Sequence, residues 1–424
     1  MKANELKEKL LGGALSAYSD LYSDINKQTE RFVFAIDEFT RLYGDGRDIA
    51  VFSVPGRSEI SGNHTDHNRG CVIAGSIDRD IIAVAAKSED GVIRLHSAGY
   101  PEDKVKISET ENPDAYENYT SAALIAGTVR GFINKGYDVG GFDAYTTSEV
   151  LKGSGISSSA AYEVMIGNIL SHLYNGGKIE NAELAKIAKY SENVFFGKPC
   201  GLMDQMACAV GGFVYIDFED NDNPAVEPIE FSLTEAGYSL CIVNTGGNHA
   251  DLNEDYASVP AEMKAVAKLL GRDVLRGLKE EDIIKNLSNI RRLVGDRAVL
   301  RTFHYLRENT RVAKIKSALL SGDVDSFLTL VSESGRSSFE YLQNVYSTVN
   351  VGEQGLSLAL VLTEGYLSGK RFAARVHGGG FAGTIQVFVK NEDADGYAEF
   401  MDSVFGDGAA VVFKIRPEGA VRLF

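Results

Sequence analysis

The stretch "VPGRSEISGNHTDHNRGCVIAGSID" (residues 54–78) constrains the fold more than any other, because it threads Arg, Glu, His, Asp and Asn side chains between apolar runs suited to burial. Polar groups that leave water need hydrogen-bond partners. The segment must therefore find those partners in the fold itself or in a polar ligand.

Composition narrows the choice. A chain of 424 residues, 44% hydrophobic and 24% charged, is an ordinary globular protein, long enough for two or three domains. Its formal charge of −16, from 43 Lys plus Arg against 59 Asp plus Glu, argues against nucleic acid or an anionic membrane surface as partner. An anionic substrate would need a focused local site of backbone amides and a metal ion. The cysteines Cys71, Cys200, Cys208 and Cys241 have neither metal-ligand spacing nor the density of a disulfide framework, which points to reduced thiols in a cytoplasm. The N-terminal "MKANELKEKLLGGALSAY" lacks the apolar core of a signal peptide, and no run reaches the roughly 18 apolar residues of a membrane span, so a soluble cytoplasmic protein is expected.

Along the chain, residues 2–45 read as two amphipathic helices. From "IAVFSVPGR" the pattern changes to short β-rich runs at 72–77, 81–86, 92–95 and 105–107, predicting a mostly antiparallel sheet. Helical stretches follow at 116–135, at 158–174 and in "LAKIAKYSENVFFG". A buried strand in "YSLCIVNTG", a helical region over 259–369 and the strand-like runs "FAARVHGGG", "TIQVFV" and "AVVFKI" complete an α+β chain. The expected division is a helical extension (1–45), a first lobe (46–220) and a second lobe (221–424).

Two further stretches are suited to binding. In "EVLKGSGISSSAAYEVMIGNIL" a β-like run enters Gly153, Ser154 and Gly155, and a helix opens at the serines. A Gly-rich turn lets the backbone approach a ligand, and the unpaired amides of a first helical turn suit phosphate. Neither the Walker pattern nor the dinucleotide Gly-x-Gly-x-x-Gly spacing is present. In "ARVHGGGFAGTIQVFV", Gly378, Gly379, Gly380 and Gly383 join two strand-like runs, more glycine than a turn requires, which suggests close backbone approach to another loop or a ligand.

In this order and at these distances the three stretches resemble the GHMP small-molecule kinases, and the first resembles the galactokinase signature Gly-Arg-Val-Asn-Leu-Ile-Gly-Glu-His-Thr-Asp-Tyr-Asn, here residues 56–68. The resemblance extends to "GKPCGLMDQMACAVGG", "NHADLNEDY", "RTFHYLRENTRV" and "LVSESGRSSFEYL". It implies a two-lobed fold with mixed and antiparallel sheets, flanking helices and an active site between the lobes. The implied reaction is transfer of the γ-phosphate of MgATP to the 1-hydroxyl of D-galactose. L-Arabinose or N-acetylgalactosamine are alternative substrates, and a sugar- and ATP-sensing regulator is an alternative role. The expected partners are small-molecule sugar and MgATP, with a monomer or weak homo-oligomer.

Carried over by position, the resemblance makes Asp204 the proton acceptor and Arg57 the charge stabiliser beside it. Asn63, His64, Asp66 and Tyr256 would bind the sugar hydroxyls. Gly153, Ser154, Gly155, Ser157, Ser158 and Ser159 would cradle the phosphates, and Ser159 with Glu192 would ligate Mg²⁺. Tyr116 falls where relatives carry an aromatic against adenine, and a core aromatic is the alternative for it. The chain departs from the family pattern with Asn63 for Glu, His67 for Tyr, Leu151 for Pro, His377 for Thr and Ala382 for Gly. The first departure leaves the identity of the sugar open.

Overall fold

The computed structural model describes residues 1–150, 156–221, 223–247 and 252–424. Helices α1 (Ala3–Leu11) and α2 (Ile25–Tyr43) lead into strands β1 (Ala50–Ser61), β2 (Cys71–Lys87), β3 (Val92–Ser97) and β4 (Glu102–Lys106). Helix α3 (Ser121–Asn134), strand β5 (Phe142–Ser148) and helices α4 (Ser158–Tyr174), α5 (Asn181–Ser191) and α6 (Met203–Val210) follow. Strands β6 (Phe213–Asp217), β7 (Ala225–Ile229) and β8 (Tyr238–Asn244) precede helices α7 (Asn253–Leu269), α8 (Glu280–Lys285), α9 (Leu287–Leu320), α10 (Val324–Ser337) and α11 (Gly355–Tyr366). The last elements are β9 (Ala373–His377), β10 (Thr384–Lys390), α12 (Asn391–Phe405), β11 (Ala410–Phe413) and β12 (Val421–Arg422). The α+β class read from the sequence is the class observed.

Two compact units form, and neither is one continuous stretch. The first comprises Met1–Arg57, Ser76–Gly212 and Arg416–Phe424; the second comprises Ser58–Gly75 and Phe213–Ile415. Three consecutive regions were expected instead. The helices of residues 1–45 are not a separate extension, because their apolar faces belong to the core of the first unit. The C-terminal residues return to that same unit, where β12 pairs with β1, Phe52 opposite Arg422.

In the first unit the sheet order is β12-β1-β2-β5-β3-β4. Strand β3 runs parallel to β5, while β5 with β2 and β4 with β3 are antiparallel. Helix α2 begins where the Asp24 carboxylate accepts a hydrogen bond from Lys27 N at 3.0 Å, an N-cap that satisfies one of the free first-turn amides. Its Phe32, Ile36 and Phe39 recur at helical spacing and are buried with Val51, Ile82, Val84 and Tyr145, each side chain contributing about 1.5–3 kcal/mol by leaving water. A polar knot pins this helix to the sheet. Asp80, fully buried in the middle of β2, accepts hydrogen bonds from Arg31, Tyr22, Ser53 and Arg416. Helix α4 is apolar and buried on nearly all sides, so it is a fixed post for whatever its N-terminus holds.

In the second unit β6 pairs with Cys71–Gly75 of β2 and with β7, and a separate antiparallel sheet has the order β11-β8-β10-β9. Helices α11 and α12 cover that sheet through Leu356, Ala359, Tyr397 and Met401 packed on Cys241, Val376, Ile385 and Val387. Another apolar cluster joins α7, α8 and α9 through Val259, Met263, Ile283, Ile290 and Tyr305, and Phe381 closes it. Among the described residues no helix is long and apolar enough to cross a membrane. All four cysteines are free thiols.

Candidate active site

The first unit brings together several of the residues expected to handle phosphate. Strand β1 passes so close to the loop before α4 that a Cβ on Gly56 would lie 2.8 Å from Ile156 O, and Arg57 N donates to that carbonyl at 3.1 Å. This approach delivers Arg57 to Asp204 in the first turn of α6. Arg57 Nε donates to Asp204 Oδ1 at 2.7 Å and Nη2 to Oδ2 at 2.8 Å, a bidentate fork. Ser157, held at φ 62° just before α4, donates its hydroxyl to Asp204 Oδ2. Burial pulls the Asp204 carboxyl toward its neutral form, but Arg57, the Ser157 hydroxyl and the charge of Lys198 outweigh it and hold the group below the ordinary carboxylate value.

The next residue of α6 faces a second carboxylate. Gln205 Nε2 donates to Glu192 Oε2 at 2.6 Å, while Ser159 Oγ at 3.0 Å and Lys198 Nζ at 3.1 Å donate to Glu192 Oε1. Glu192 sits in a π turn that extends α5, and its side chain is 2% exposed. Behind it lies fully buried Glu163, whose carboxyl is pushed well above its ordinary value by burial and then by the Glu192 charge. Ser158 is partly buried at the first position of α4. Tyr116 is half-buried against Phe195, ring centres 6.1 Å apart. Gly153, Ser154, Gly155 and Leu151 lie outside the described residues.

The second unit holds the expected hydroxyl-binding residues, and it gives three of them one shared partner. Asn63 Nδ2 donates to Gly378 O at 2.7 Å, His64 Nε2 to Gly379 O at 2.8 Å and Tyr256 Oη to Gly380 O at 2.8 Å. Three successive carbonyls of the Gly-rich loop thus engage three side chains. Glycine is required there: a Cβ on Gly379 would stand 2.5 Å from the Tyr256 ring, and one on Gly380, at φ +83°, would stand 2.1 Å from Asn344 O. Burial, helped by neighbouring His67, lowers the His64 pKa to about 4, so its imidazole is neutral with Nδ1 left to accept. Asp66 is the first residue of a short turn at Asp66–Asn68, and its carboxylate is 3.4 Å from His67 Nε2.

Asn63 departs from the expectation of a sugar contact. It is 1% exposed, its amide also donates to Glu59 Oε1 at 3.0 Å, and its oxygen accepts from Asn344 Nδ2 at 2.7 Å and Ser338 Oγ at 3.3 Å. Every hydrogen-bonding position of the amide is filled by protein, which leaves none for a ligand. Glu59 in turn pairs with fully buried Arg375, Nη2 to Oε1 2.9 Å. His377 is likewise satisfied internally, by Ser58 Oγ at 3.1 Å and Thr384 Oγ1 at 2.9 Å.

Sequence reasoning missed Lys198, Gln205, Glu59, Arg375 and Tyr119. Lys198 and Gln205 lie inside the quoted "GKPCGLMDQ", where their types were the available signal. Tyr119, 67% exposed at φ 65° and edge-on to Phe196, is the open aromatic of the loop that carries Tyr116.

Comparison with known proteins gives matches over most of the chain. Residues 37–87 match the galactokinase galactose-binding signature and residues 120–212 match the GHMP kinases N terminal domain. The galactokinase of Streptomyces coelicolor is 29% identical over 395 residues, covering 91% of this chain and 97% of its own. That of Clostridium tetani is 28% identical over 363 residues, 84% and 88% of the two chains. The crystal structure of Lactococcus lactis galactokinase complexed with galactose matches with a TM-score of 0.75 at 22% identity, covering 91% of this chain and 98% of that one, which establishes a common fold. The chain thus carries a GHMP kinases N terminal domain and a galactokinase galactose-binding signature, and it is similar along most of its length to galactokinases.

Proposed function

We propose that this protein is a sugar 1-kinase that transfers the γ-phosphate of ATP to the anomeric hydroxyl of D-galactose, giving galactose 1-phosphate and ADP. The observation that carries the reading is the bidentate Arg57–Asp204 pair, joined by Ser157 at the start of α4. Phosphoryl transfer asks a protein for positioning and charge stabilisation more than for covalent chemistry. Asp204, kept ionised at neutral pH by Arg57, orients the attacking hydroxyl by accepting its hydrogen. So weak a base takes the proton only after attack has made the hydroxyl strongly acidic, which suits a loose transition state with late proton transfer. Arg57 balances the charge that collects on the transferring group.

Ser157, Ser158 and Ser159 bring hydroxyls and first-turn amides to the nucleotide phosphates. Ser159 Oγ and Glu192 Oε1, 3.0 Å apart, are two hard oxygen donors, and among the described residues no group of three or more His, Cys, Asp or Glu could hold a metal. Two protein oxygens fit Mg²⁺, an ion that keeps waters and shares substrate phosphates. Such an ion would neutralise phosphate charge there. Tyr119, edge-on to Phe196, offers a stacking face for adenine, and Tyr116 packs on the adjacent Phe195. Neutral His64, Asp66 and the Tyr256 hydroxyl are the groups for sugar hydroxyls, with Asn63 holding their loop. The four free thiols support a cytoplasmic setting.

The test is a coupled ADP-release assay on D-galactose, L-arabinose, N-acetylgalactosamine and 6-deoxygalactose, the last three included because Asn63 is committed to the protein. D-Galactose should give the highest kcat/KM. If no sugar stimulates ADP release, the kinase reading fails and a sugar- and ATP-binding regulator takes its place.

A further inference from the structure

Glu192 is deeply buried, yet it pairs with a cation that reaches solvent. Its carboxylate is 2% exposed and accepts hydrogen bonds from Ser159, Gln205 and Lys198, the last with a side chain 53% exposed. Among the described residues Lys198 is the one cation paired with Glu192. Its place is set by the backbone: Gly197 turns at φ 79°, Lys198 N donates to Glu192 O at 3.1 Å, and Pro199 follows. Lys198 also acts electrostatically on Asp204, so one flexible ammonium serves both carboxylates of the phosphate-handling constellation.

Glu192 Oε1 is the oxygen that accepts from both Ser159 and Lys198, and it is also the oxygen that a metal shared with Ser159 would take. A buried carboxylate needs a compensating charge. Two cations cannot hold one carboxylate oxygen at contact distance without strong repulsion. We propose that Lys198 is a tethered surrogate for the metal ion, closing Glu192 while the site is empty and moving onto the nucleotide phosphates when the ion takes the carboxylate. Its four-carbon stem permits that move, and its ammonium, a compact charge with three donors, suits phosphate oxygens. This makes Lys198 a further catalytic residue of the phosphoryl-transfer site. The phosphate half rests on the kinase reading above, whereas the competition for Glu192 does not depend on which sugar is used.

The experiment compares wild type with Lys198→Met and Lys198→Arg. Mn²⁺ is titrated into nucleotide-free protein and followed by electron paramagnetic resonance, and kcat is measured separately at saturating MgATP and galactose. With the competing charge removed, Lys198→Met should bind Mn²⁺ about fivefold more tightly. Its kcat should fall about tenfold or more. Lys198→Arg keeps a mobile cation and should stay close to wild type in both. Mn²⁺ affinity in Lys198→Met that is unchanged or weaker overturns the competition, and an undiminished kcat overturns the phosphate contact. If the wild type phosphorylates no sugar yet Lys198→Met still binds Mn²⁺ more tightly, the sugar assignment fails while the surrogate role of Lys198 stands.

Discussion

Exchanging the two residues at positions 59 and 63 tests how the loop that carries the proposed sugar-binding side chains is held. Residues 56–68 carry Glu59 and Asn63 where the galactokinase signature carries Asn and Glu, so this chain holds the same pair in reverse order. In Asn63→Glu a second carboxylate replaces an amide that now donates to Glu59 Oε1 at 3.0 Å, in a place where Glu59 is 7% exposed and Asn63 1%. Two like charges at that separation repel by about 5 kcal/mol at an effective dielectric of about 20. Protonating one Glu from its ordinary pKa to neutrality at pH 7 costs about 3.7 kcal/mol, so the protein takes that route and loses roughly 3–4 kcal/mol. Glu59→Asn strips fully buried Arg375 of its carboxylate partner and should cost about 3–5 kcal/mol. The double variant restores one carboxylate to the network. It should therefore be about 2–4 kcal/mol more stable than the sum of the single changes predicts. Urea unfolding followed by circular dichroism reads this directly, since the chain has no Trp. Additivity of the single changes to within about 0.5 kcal/mol would refute the coupling of Glu59, Asn63 and Arg375.

Other outcomes follow from the same geometry. Asp204→Asn should keep nucleotide affinity by calorimetry while kcat falls by roughly 10² or more, and retention of more than a tenth of wild-type kcat rules out its role at the attacking hydroxyl. Gly379→Ala places a methyl 2.5 Å from the Tyr256 ring and should raise the sugar KM several-fold (roughly) with kcat less affected, so an unchanged KM refutes the proposed use of Tyr256. The His64 C2 proton in NMR should show a neutral ring from pH 8 down to about 5, because its pKa is lowered to about 4. The unfolded chain binds that proton near pH 6.5, so the His64 contribution to stability is complete above about 6.5 and is lost as pH falls toward 4. Titration near 6.5 in the folded protein contradicts it.

What was legible in the sequence was whatever local pattern dictates. Helix α4 matches the expected 158–174, and α2 and β8 lie where their apolar periodicities put them. Residues 72–77 and 81–86 read as two runs because Asp78, Arg79 and Asp80 interrupt the apolar pattern, yet β2 continues through 71–87. The interruption is tolerated because Asp80 meets Arg31 and Arg416 deep in the fold, partners 49 and 336 residues away that no window could connect. The pairing of Arg57 with Asp204, 147 residues apart, was legible only through the family resemblance. The loop carbonyls that engage Asn63, His64 and Tyr256 left no trace, since a backbone acceptor looks the same in every sequence. Glycines at 378–380 gave the place and could not give the partners.

The last segment of the first unit, Arg416–Phe424, sets a schedule for the nascent chain. Strand β1 cannot pair with β12, and Ser53 cannot receive the Arg416 guanidinium 363 residues later, until the whole second unit has left the ribosome. At translation rates of about 5–20 residues per second that interval is roughly 20–70 s. Throughout it Asp80 lacks one of its two buried cations and β1 presents an unpaired edge, the kind of surface that chaperones hold and neighbouring chains invade. A full-length chain diluted from denaturant meets no such wait, so synthesis and refolding should differ in aggregation even where they end in the same native fold.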